Sequence, residues 1–151
     1  MFQFIVNLVI LGIIFSSCNQ LINQDRKNTQ CRESFMNKNV EIAEAYYTAM
    51  GKKNIAEMEK YLHPNVRIIG PLGEMNGKEV VVDSLKKLII PLKAVMIRTK
   101  CGSNDHAVLI CDLEFSEPIG KLPSAICMTF QDGLIIKNEL FFDARKYEKK
   151  N

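Results

Sequence analysis

Residues 106–116 read HAVLICDLEFS, a stretch in which two kinds of side chain alternate. Leu109, Cys111, Leu113 and Phe115 are apolar, whereas the residues between them turn polar toward the end of the stretch. Successive side chains of a β-strand point to opposite faces, so these four residues would share one wholly apolar face. The stretch therefore predicts a half-buried strand whose apolar face lines a core.

The sequence on either side predicts more strands of the same sheet. Gly-Ser-Asn-Asp at 102–105 suits a hairpin turn, and it follows a predicted strand over residues 92–100. Two further strands are predicted over residues 124–130 and 134–142, and a tight turn at 131–133 joins them. The C-terminal half of the chain is thus expected to form four antiparallel strands.

The residues before this sheet show helical periodicity instead. Asn39 is a suitable N-cap for a helix that ends near Gly51. A second helix is predicted to start at Asn54, because Glu57 three residues later completes a capping-box pattern. Its apolar stripe runs to Leu62, where a following His-Pro pair should stop it. Both helices carry apolar side chains at helical spacing, so both should pack on the sheet.

A short strand and a third helix complete the predicted domain. The strand covers residues 66–69 and enters a Gly-Pro-Leu-Gly turn at 70–73. The third helix follows Gly77 and is ended by Pro91. Helices first and a meander of strands last predict an α+β domain, with the helices packed on one face of a curled sheet.

The N-terminus contains an apolar run over residues 4–15, followed by two serines and Cys18. The run is too short to span a bilayer, which takes about 20 residues, and its length fits a secretory signal. Phe-Ser-Ser-Cys resembles a bacterial lipoprotein box in which Cys18 is lipidated, although no basic residue precedes Arg26. The alternative is a start at Met36, which would leave a cytoplasmic domain. The predicted organisation is a signal or lipoprotein signal at 1–18, a polar linker at 19–39 and one domain at 40–148.

Charge and cysteine content argue against several kinds of site. The 20 basic and 17 acidic residues are scattered, so the net charge of +3 builds no field that would steer nucleic acid. The five cysteines form no C-x-x-C pair and there are only two histidines, so we expect no metal site and no cofactor. Cys101, Cys111 and Cys127 fall in predicted strands, where we expect free, buried thiols. We expect membrane contact only through a lipid anchor on Cys18.

Four stretches resemble the nuclear transport factor 2-like superfamily. AYYTAMGKKN at 45–54 is similar to the first helix and its exit in SnoaL-like cyclases and ketosteroid isomerases, and YLHPNV at 61–66 to the junction into their first strand. GKE at 77–79 resembles the entry of their third helix, and FFDARKY at 141–147 the end of limonene epoxide hydrolase-like members. The resemblance implies a cone-shaped, strongly curved antiparallel sheet with three N-terminal helices on its concave face around an apolar pocket. Because this fold hosts isomerases, cyclases, hydrolases and binding modules, it implies no single function.

The resemblance also allows the known chemistries to be tested position by position. Tyr46 falls where ketosteroid isomerases have the Tyr that holds the oxyanion. Their proton-moving carboxylate is replaced by Gly70, and their oxyanion acid by Ile126 or Cys127. The water-activating Asp of limonene epoxide hydrolases is replaced by Leu140. The resemblance therefore implies the scaffold without either mechanism.

Tyr46 and Asp143 remain as candidate catalytic residues. Each has an ordinary structural alternative, in which Tyr46 only fills the buried face of its helix and Asp143 only caps the turn that follows the last strand. The residues expected to line the pocket are mostly apolar, which suits a hydrophobic small molecule or a filled core. They are Tyr46, Leu113, Phe115, Met128 and Leu140.

Three functions are compatible with this sequence. The first is a non-catalytic SnoaL-like domain that binds a small apolar ligand or a protein partner, as a homodimer through the outer face of the sheet. The second is an isomerase- or cyclase-type enzyme acting on a small hydrophobic substrate. The third is an envelope accessory lipoprotein, lipid-anchored or exported.

Overall fold

The computed structural model of the protein describes residues 38–103 and 105–145. The sequence expectations for the signal segment, Cys18, Met36 and most of the linker lie outside the described residues. The described residues include helix α1 over residues 38–51, α2 over Ile55–Lys60 and α3 over Lys78–Leu88. The strands are β1 Leu62–Gly70, β2 Gly73–Asn76, β3 Leu92–Ser103, β4 His106–Phe115, β5 Lys121–Gln131 and β6 Leu134–Phe142.

The six strands form one curved, unclosed sheet in the order β2-β1-β6-β5-β4-β3. Neighbouring strands are antiparallel except β1 and β6, which pair in parallel. In this register Ile68 of β1 lies between Met75 of β2 and Asn138 of β6. The α+β class and the curved, mainly antiparallel sheet are as the sequence predicts.

One face of the sheet packs against the helices to form the core. Leu109, Cys111, Leu113 and Phe115 are all buried, which confirms the apolar face predicted from HAVLICDLEFS. From α1 the core receives buried side chains that include Tyr46, Tyr47 and Met50. The concave face of the sheet is therefore the one that carries the helices and the interior.

The opposite, convex face of the sheet holds a buried carboxylate. The Nζ atom of Lys121 lies 2.8 Å from Asp112 Oδ2, and the Nε atom of Arg98 lies 3.8 Å from Asp112 Oδ1. These cations compensate a charge that would otherwise be costly to remove from water. Asp112 thus belongs to an ion-pair cluster on the outer face.

Several element boundaries differ from the sequence prediction. Lys38 is already helical, so Asn39 lies within α1 instead of capping it. Helix α2 ends two residues before the predicted Leu62, because the Tyr61 backbone N–H bonds to the Met58 carbonyl oxygen and Leu62 begins β1. The Asn54 cap is confirmed, since its side chain accepts from the Glu57 backbone N–H at 3.1 Å.

The cysteine prediction was wrong at one position. Cys111 is buried and Cys127 is partly buried, but Cys101 is exposed. Cys101 lies near the end of the edge strand β3, opposite Val108 on the convex face, which helices α1, α2 and α3 do not cover. All three thiols are free. Among the described residues, no helix is both long and apolar enough to cross a membrane.

Candidate functional site

A cavity of about 310 Å³ lies between the helices and the concave face of the sheet. Helices α1 and α3 contribute to one side of it, and β1, β2, β4, β5 and β6 to the other. The lining is mainly apolar. Its members are Tyr46, Tyr47, Met50, Ile68, Gly70, Leu72, Gly73, Glu74, Met75, Leu85, Leu88, Leu113, Phe115, Leu122, Asn138, Leu140 and Phe142.

Four of the five residues expected to form the pocket lie in this lining: Tyr46, Leu113, Phe115 and Leu140. Met128 does not. It shares a face of β5 with Leu122, which lines the cavity, but it lies six positions further along the strand. At about 3.3 Å per residue, that distance takes Met128 into the closed part of the core, where it is fully buried.

The Tyr46 hydroxyl is a buried polar group without a hydrogen-bond partner in the described part of the chain. The Tyr46 side chain is fully buried, and this burial raises the pKa of its hydroxyl well above the ordinary value. The hydroxyl therefore keeps its proton at physiological pH. A protonated Tyr hydroxyl can donate one hydrogen bond and can accept another.

Asn138 supplies the second buried polar group of the lining. Its Nδ2 atom donates to the Tyr47 hydroxyl at 3.2 Å, while its Oδ1 atom has no partner among the described residues. The rings of Tyr46 and Tyr47 meet edge to face, with centroids 5.3 Å apart. Exchanging the two ends of the amide would still leave one amide atom free, because Tyr47 engages a single end. The buried wall of the cavity thus carries two unsatisfied polar positions.

Glu74 is the only carboxylate among the lining residues that the structure describes, and it lies on the edge strand β2. Arg67 on β1 holds it with two hydrogen bonds, from Nε at 3.0 Å and from Nη2 at 2.6 Å. The Arg67 hydrogen bond lowers the pKa of the Glu74 carboxyl, so this group stays ionised and is a weakened base. Both side chains remain partly exposed at the rim.

Asp143 lies outside the cavity lining. It is exposed after the end of β6, and its carboxylate accepts hydrogen bonds from the Arg145 side chain at 2.8 and 2.5 Å. Its Oδ1 atom also accepts from the Arg145 backbone N–H at 3.1 Å, the local geometry of a capping side chain. No group of His, Cys, Asp and Glu residues in the described part of the chain could hold a metal ion.

The SnoaL-like domain family matches residues 43–138, which is more than half of the chain. The protein belongs to this family. None of the curated proteins matches its sequence significantly. The matched residues of the SnoaL-like domain include α2, α3 and the first five strands, together with Tyr46 and Asn138 of the cavity.

Solved structures show the same fold at low sequence identity. An NTF2-like protein of unknown function from Cytophaga hutchinsonii aligns with a TM-score of 0.66 and 18% identity, covering 74% of this chain and 95% of that one. An LEH-like epoxide hydrolase of M. tuberculosis aligns with a TM-score of 0.65 and 13% identity over 76% and 89% of the two chains. TerC, crystallised with polyporic acid, aligns with a TM-score of 0.64 and 20% identity over 74% and 96%.

Sequence reasoning missed three polar groups of the site: Tyr47, Glu74 and Asn138. The signal for Asn138 was available, because it shares a strand face with Leu140, and an Asn on an apolar face has to find buried partners. The place of Glu74 in the cavity lining follows only from the strand β2, which the sequence did not predict. Tyr46 already occupies the face of α1 that packs on the sheet. The burial of Tyr47, the next residue, therefore depends on how α1 is tilted against β6.

Proposed function

We propose that this SnoaL-like domain binds one small, mainly apolar, uncharged molecule in the cavity, where the Tyr46 hydroxyl and the Asn138 amide hydrogen-bond to it. The observation that carries the proposal is the pair of buried polar atoms, Tyr46 Oη and Asn138 Oδ1, without partners in the described residues around an apolar cavity. An unsatisfied buried polar group costs about 1–3 kcal/mol. A ligand that supplies both partners would recover that free energy and would bury its apolar body at the same time.

The size and charge of the cavity restrict the ligand. A volume of about 310 Å³ is at the lower end of the range for small-molecule sites. The only charged side chain among the described lining residues is Glu74, which Arg67 already neutralises, so no cation is left to attract an anionic ligand. TerC, which shares the fold, was crystallised with polyporic acid, and this is consistent with an organic ligand in such a cavity.

The first experiment asks whether the purified full chain carries or accepts such a molecule. Native mass spectrometry of the wild type should show a copurified small molecule, or binding of added 2-naphthol as a neutral probe with one hydroxyl. Leu140→Trp fills the cavity and should abolish binding. The matched control is Phe141→Trp, because Phe141 is the next residue of β6 and points to the convex face. Equal binding by both variants would contradict the proposal.

A second variant tests the hydrogen bond. Tyr46→Phe keeps the ring and removes only the hydroxyl, so 2-naphthol should bind roughly threefold to tenfold more weakly, the effect of one net hydrogen bond of about 1 kcal/mol. Calorimetric titration of the wild type and Tyr46→Phe measures it. If Tyr46→Phe binds 2-naphthol as tightly as the wild type and Leu140→Trp still does not bind it, the cavity binds by apolar contact alone.

An isomerase- or cyclase-type enzyme is the second candidate, and Glu74 is the observation that favours it. Its carboxylate is ionised and lines the same cavity as the Tyr46 hydroxyl, so a base and a hydrogen-bond donor are both available. If the bound molecule is converted, Glu74→Gln should stop conversion and leave binding in place. Conversion that survives in Glu74→Gln would remove this candidate.

A further inference from the structure

Three exposed apolar side chains lie at the mouth of the cavity or on the loop beside it. Leu72, in the turn between β1 and β2, and Leu88, at the end of α3, both line the cavity and are 60% and 36% exposed. Ile90, two residues beyond Leu88, is 75% exposed. We call these three residues the apolar rim. Soluble domains seldom leave large apolar side chains grouped around a cavity in water unless the surface meets a partner.

Lysines surround the same loop. The Nζ atom of Lys53, in the turn after α1, donates to the carbonyl oxygen of Ile90 at 3.2 Å, which brings this turn against the loop. The segments that meet here carry four exposed lysines: Lys52, Lys53, Lys87 and Lys93. Lys86 instead faces Asp83, with which it pairs at 2.8 Å. The exposed acids beside the rim are Glu117 and Glu74, and Glu74 is paired with Arg67 at 2.6 Å.

We propose that the apolar rim docks on an anionic lipid bilayer. Leu72, Leu88 and Ile90 would enter the boundary between headgroups and acyl chains, and the lysines would lie at the level of the anionic headgroups. Exposed apolar residues flanked by Lys suit this interface, because the apolar side chains leave water while each nearby Lys gains from the negative surface.

This docking would direct the cavity mouth toward the acyl layer, since Leu72 and Leu88 belong to the rim and to the lining. An apolar ligand could then pass between bilayer and cavity without crossing water. That consequence rests on the proposed function, whereas the docking itself does not. The docking also goes beyond the lipid anchor expected at Cys18, because a tether alone leaves the orientation of the domain free.

The experiment uses the absence of tryptophan from the chain. Ile90→Trp and Leu72→Trp each give the full chain a single fluorescent reporter in the apolar rim. Met96→Trp gives the matched control, because Met96 is 61% exposed on the convex face, paired with Asp112. On vesicles of phosphatidylcholine with phosphatidylglycerol, both rim reporters should shift to shorter wavelength and be quenched by brominated acyl chains. The Met96→Trp reporter should show neither change when vesicles are added.

The lysine contribution is measured in the Ile90→Trp background. Adding Lys87→Gln removes one charge, worth about fivefold in affinity, so about five times more anionic lipid should be needed for half of the emission shift. The comparison of rim and control reporters is valid even if the N-terminal segment itself binds vesicles, since all variants share it. Rim reporters that stay in water, or a Met96→Trp reporter that shifts as much as Ile90→Trp, would overturn the proposal. Ligand-free vesicles are used, so this result is separate from any failure of cavity binding.

Discussion

The Nδ2 atom of Asn138 donates to the Tyr47 hydroxyl at 3.2 Å, and this bond joins the last strand to the first helix across 91 positions of sequence. Both side chains are buried, so neither can exchange its partner for water. Tyr47 also packs edge to face on Tyr46, whose hydroxyl has no partner among the described residues. Two adjacent tyrosines of one helix thus differ: Tyr47 ties the sheet to the helix, and Tyr46 has a buried hydroxyl without a partner among the described residues.

The two tyrosines should respond oppositely to the same substitution. Tyr47→Phe leaves the Asn138 amide unpaired and should lower the free energy of unfolding by about 1–3 kcal/mol. Tyr46→Phe removes a hydroxyl that is already unpaired and should be neutral or stabilising in the ligand-free protein. Urea denaturation measures both. In Tyr47→Phe/Asn138→Leu the losses should be less than additive, with a coupling of about 0.5 kcal/mol or more. Equal losses in the two Phe variants would contradict this assignment.

Titration of Cys111 should make the protein less stable at high pH. Burial, aided by the neighbouring Asp112 charge, raises the pKa of the Cys111 thiol from 9.0 to about 11. The unfolded chain loses this proton first, so the stabilisation is complete below pH 9 and is lost as pH rises toward 11. Unfolding free energies measured from pH 8 to 10 should fall more steeply in the wild type than in Cys111→Ala. Parallel curves would show that this thiol titrates normally.

The sequence predicts the helices and strands in which buried side chains recur at a regular spacing. Alternation in β4 places Leu113 and Phe115 on the inner face, and both line the cavity. The short strand β2 was missed, because GEMN follows a Gly-Pro-Leu turn and its side chains are mostly exposed, so it has no apolar pattern. Only its pairing with β1 makes it a strand.

The other features that the sequence did not predict are contacts between segments far apart in the chain. The parallel contact of β1 with β6 brings together segments about 70 residues apart, as in Ile68 opposite Asn138. Local periodicity carries no information on which strands pair over that distance. The Asn138–Tyr47 bond likewise joins distant segments, so this contact could not be derived from local periodicity, whereas the Arg67–Glu74 pair spans only the β1–β2 turn.

The convex face is the surface through which we expect homodimerisation. Phe141, Ala125 and Ile110 are cross-strand neighbours on this face, and Phe141 is 57% exposed. Phe141→Glu would bury a charge in the contact and should weaken the dimer by about 2 kcal/mol or more. Sedimentation velocity measures the shift toward monomer, with Ile90→Glu as the control on a different surface. A wild type that is monomeric at all concentrations would refute the expectation.

Lipidation of Cys18 would anchor the domain in the cell envelope. In a bacterial host, a fatty-acid probe should label the wild type in the envelope and leave Cys18→Ser unlabelled. Cys31→Ser, which alters a cysteine in the predicted linker, should be labelled like the wild type. An unlabelled wild type that fractionates with the cytoplasm would instead support translation from Met36.

The folded protein should not turn over a Δ5-ketosteroid or limonene epoxide. Gly70 and Leu140, which stand where those reactions require carboxylates, both line the cavity and cannot accept a proton. A general base contributes roughly 10²–10⁴-fold, so any residual turnover should be slower by at least that factor than with a carboxylate in place. Space does not explain Gly70, since a Cβ there would meet Leu140 and Phe142 at ordinary distances of 3.6 and 3.9 Å.

Asp143 is the residue that could make this prediction fail. It lies three positions after Leu140, and Arg145 holds its carboxylate outside the cavity lining. Side chains alternate along a strand, so positions 140 and 143 would project to opposite faces if β6 continued regularly. We therefore expect the wild type and Asp143→Asn to be equally inactive on both substrates, with unchanged unfolding curves showing that the samples are folded. Turnover by the wild type that Asp143→Asn abolishes would mean that this carboxylate leaves Arg145 and reaches the substrate.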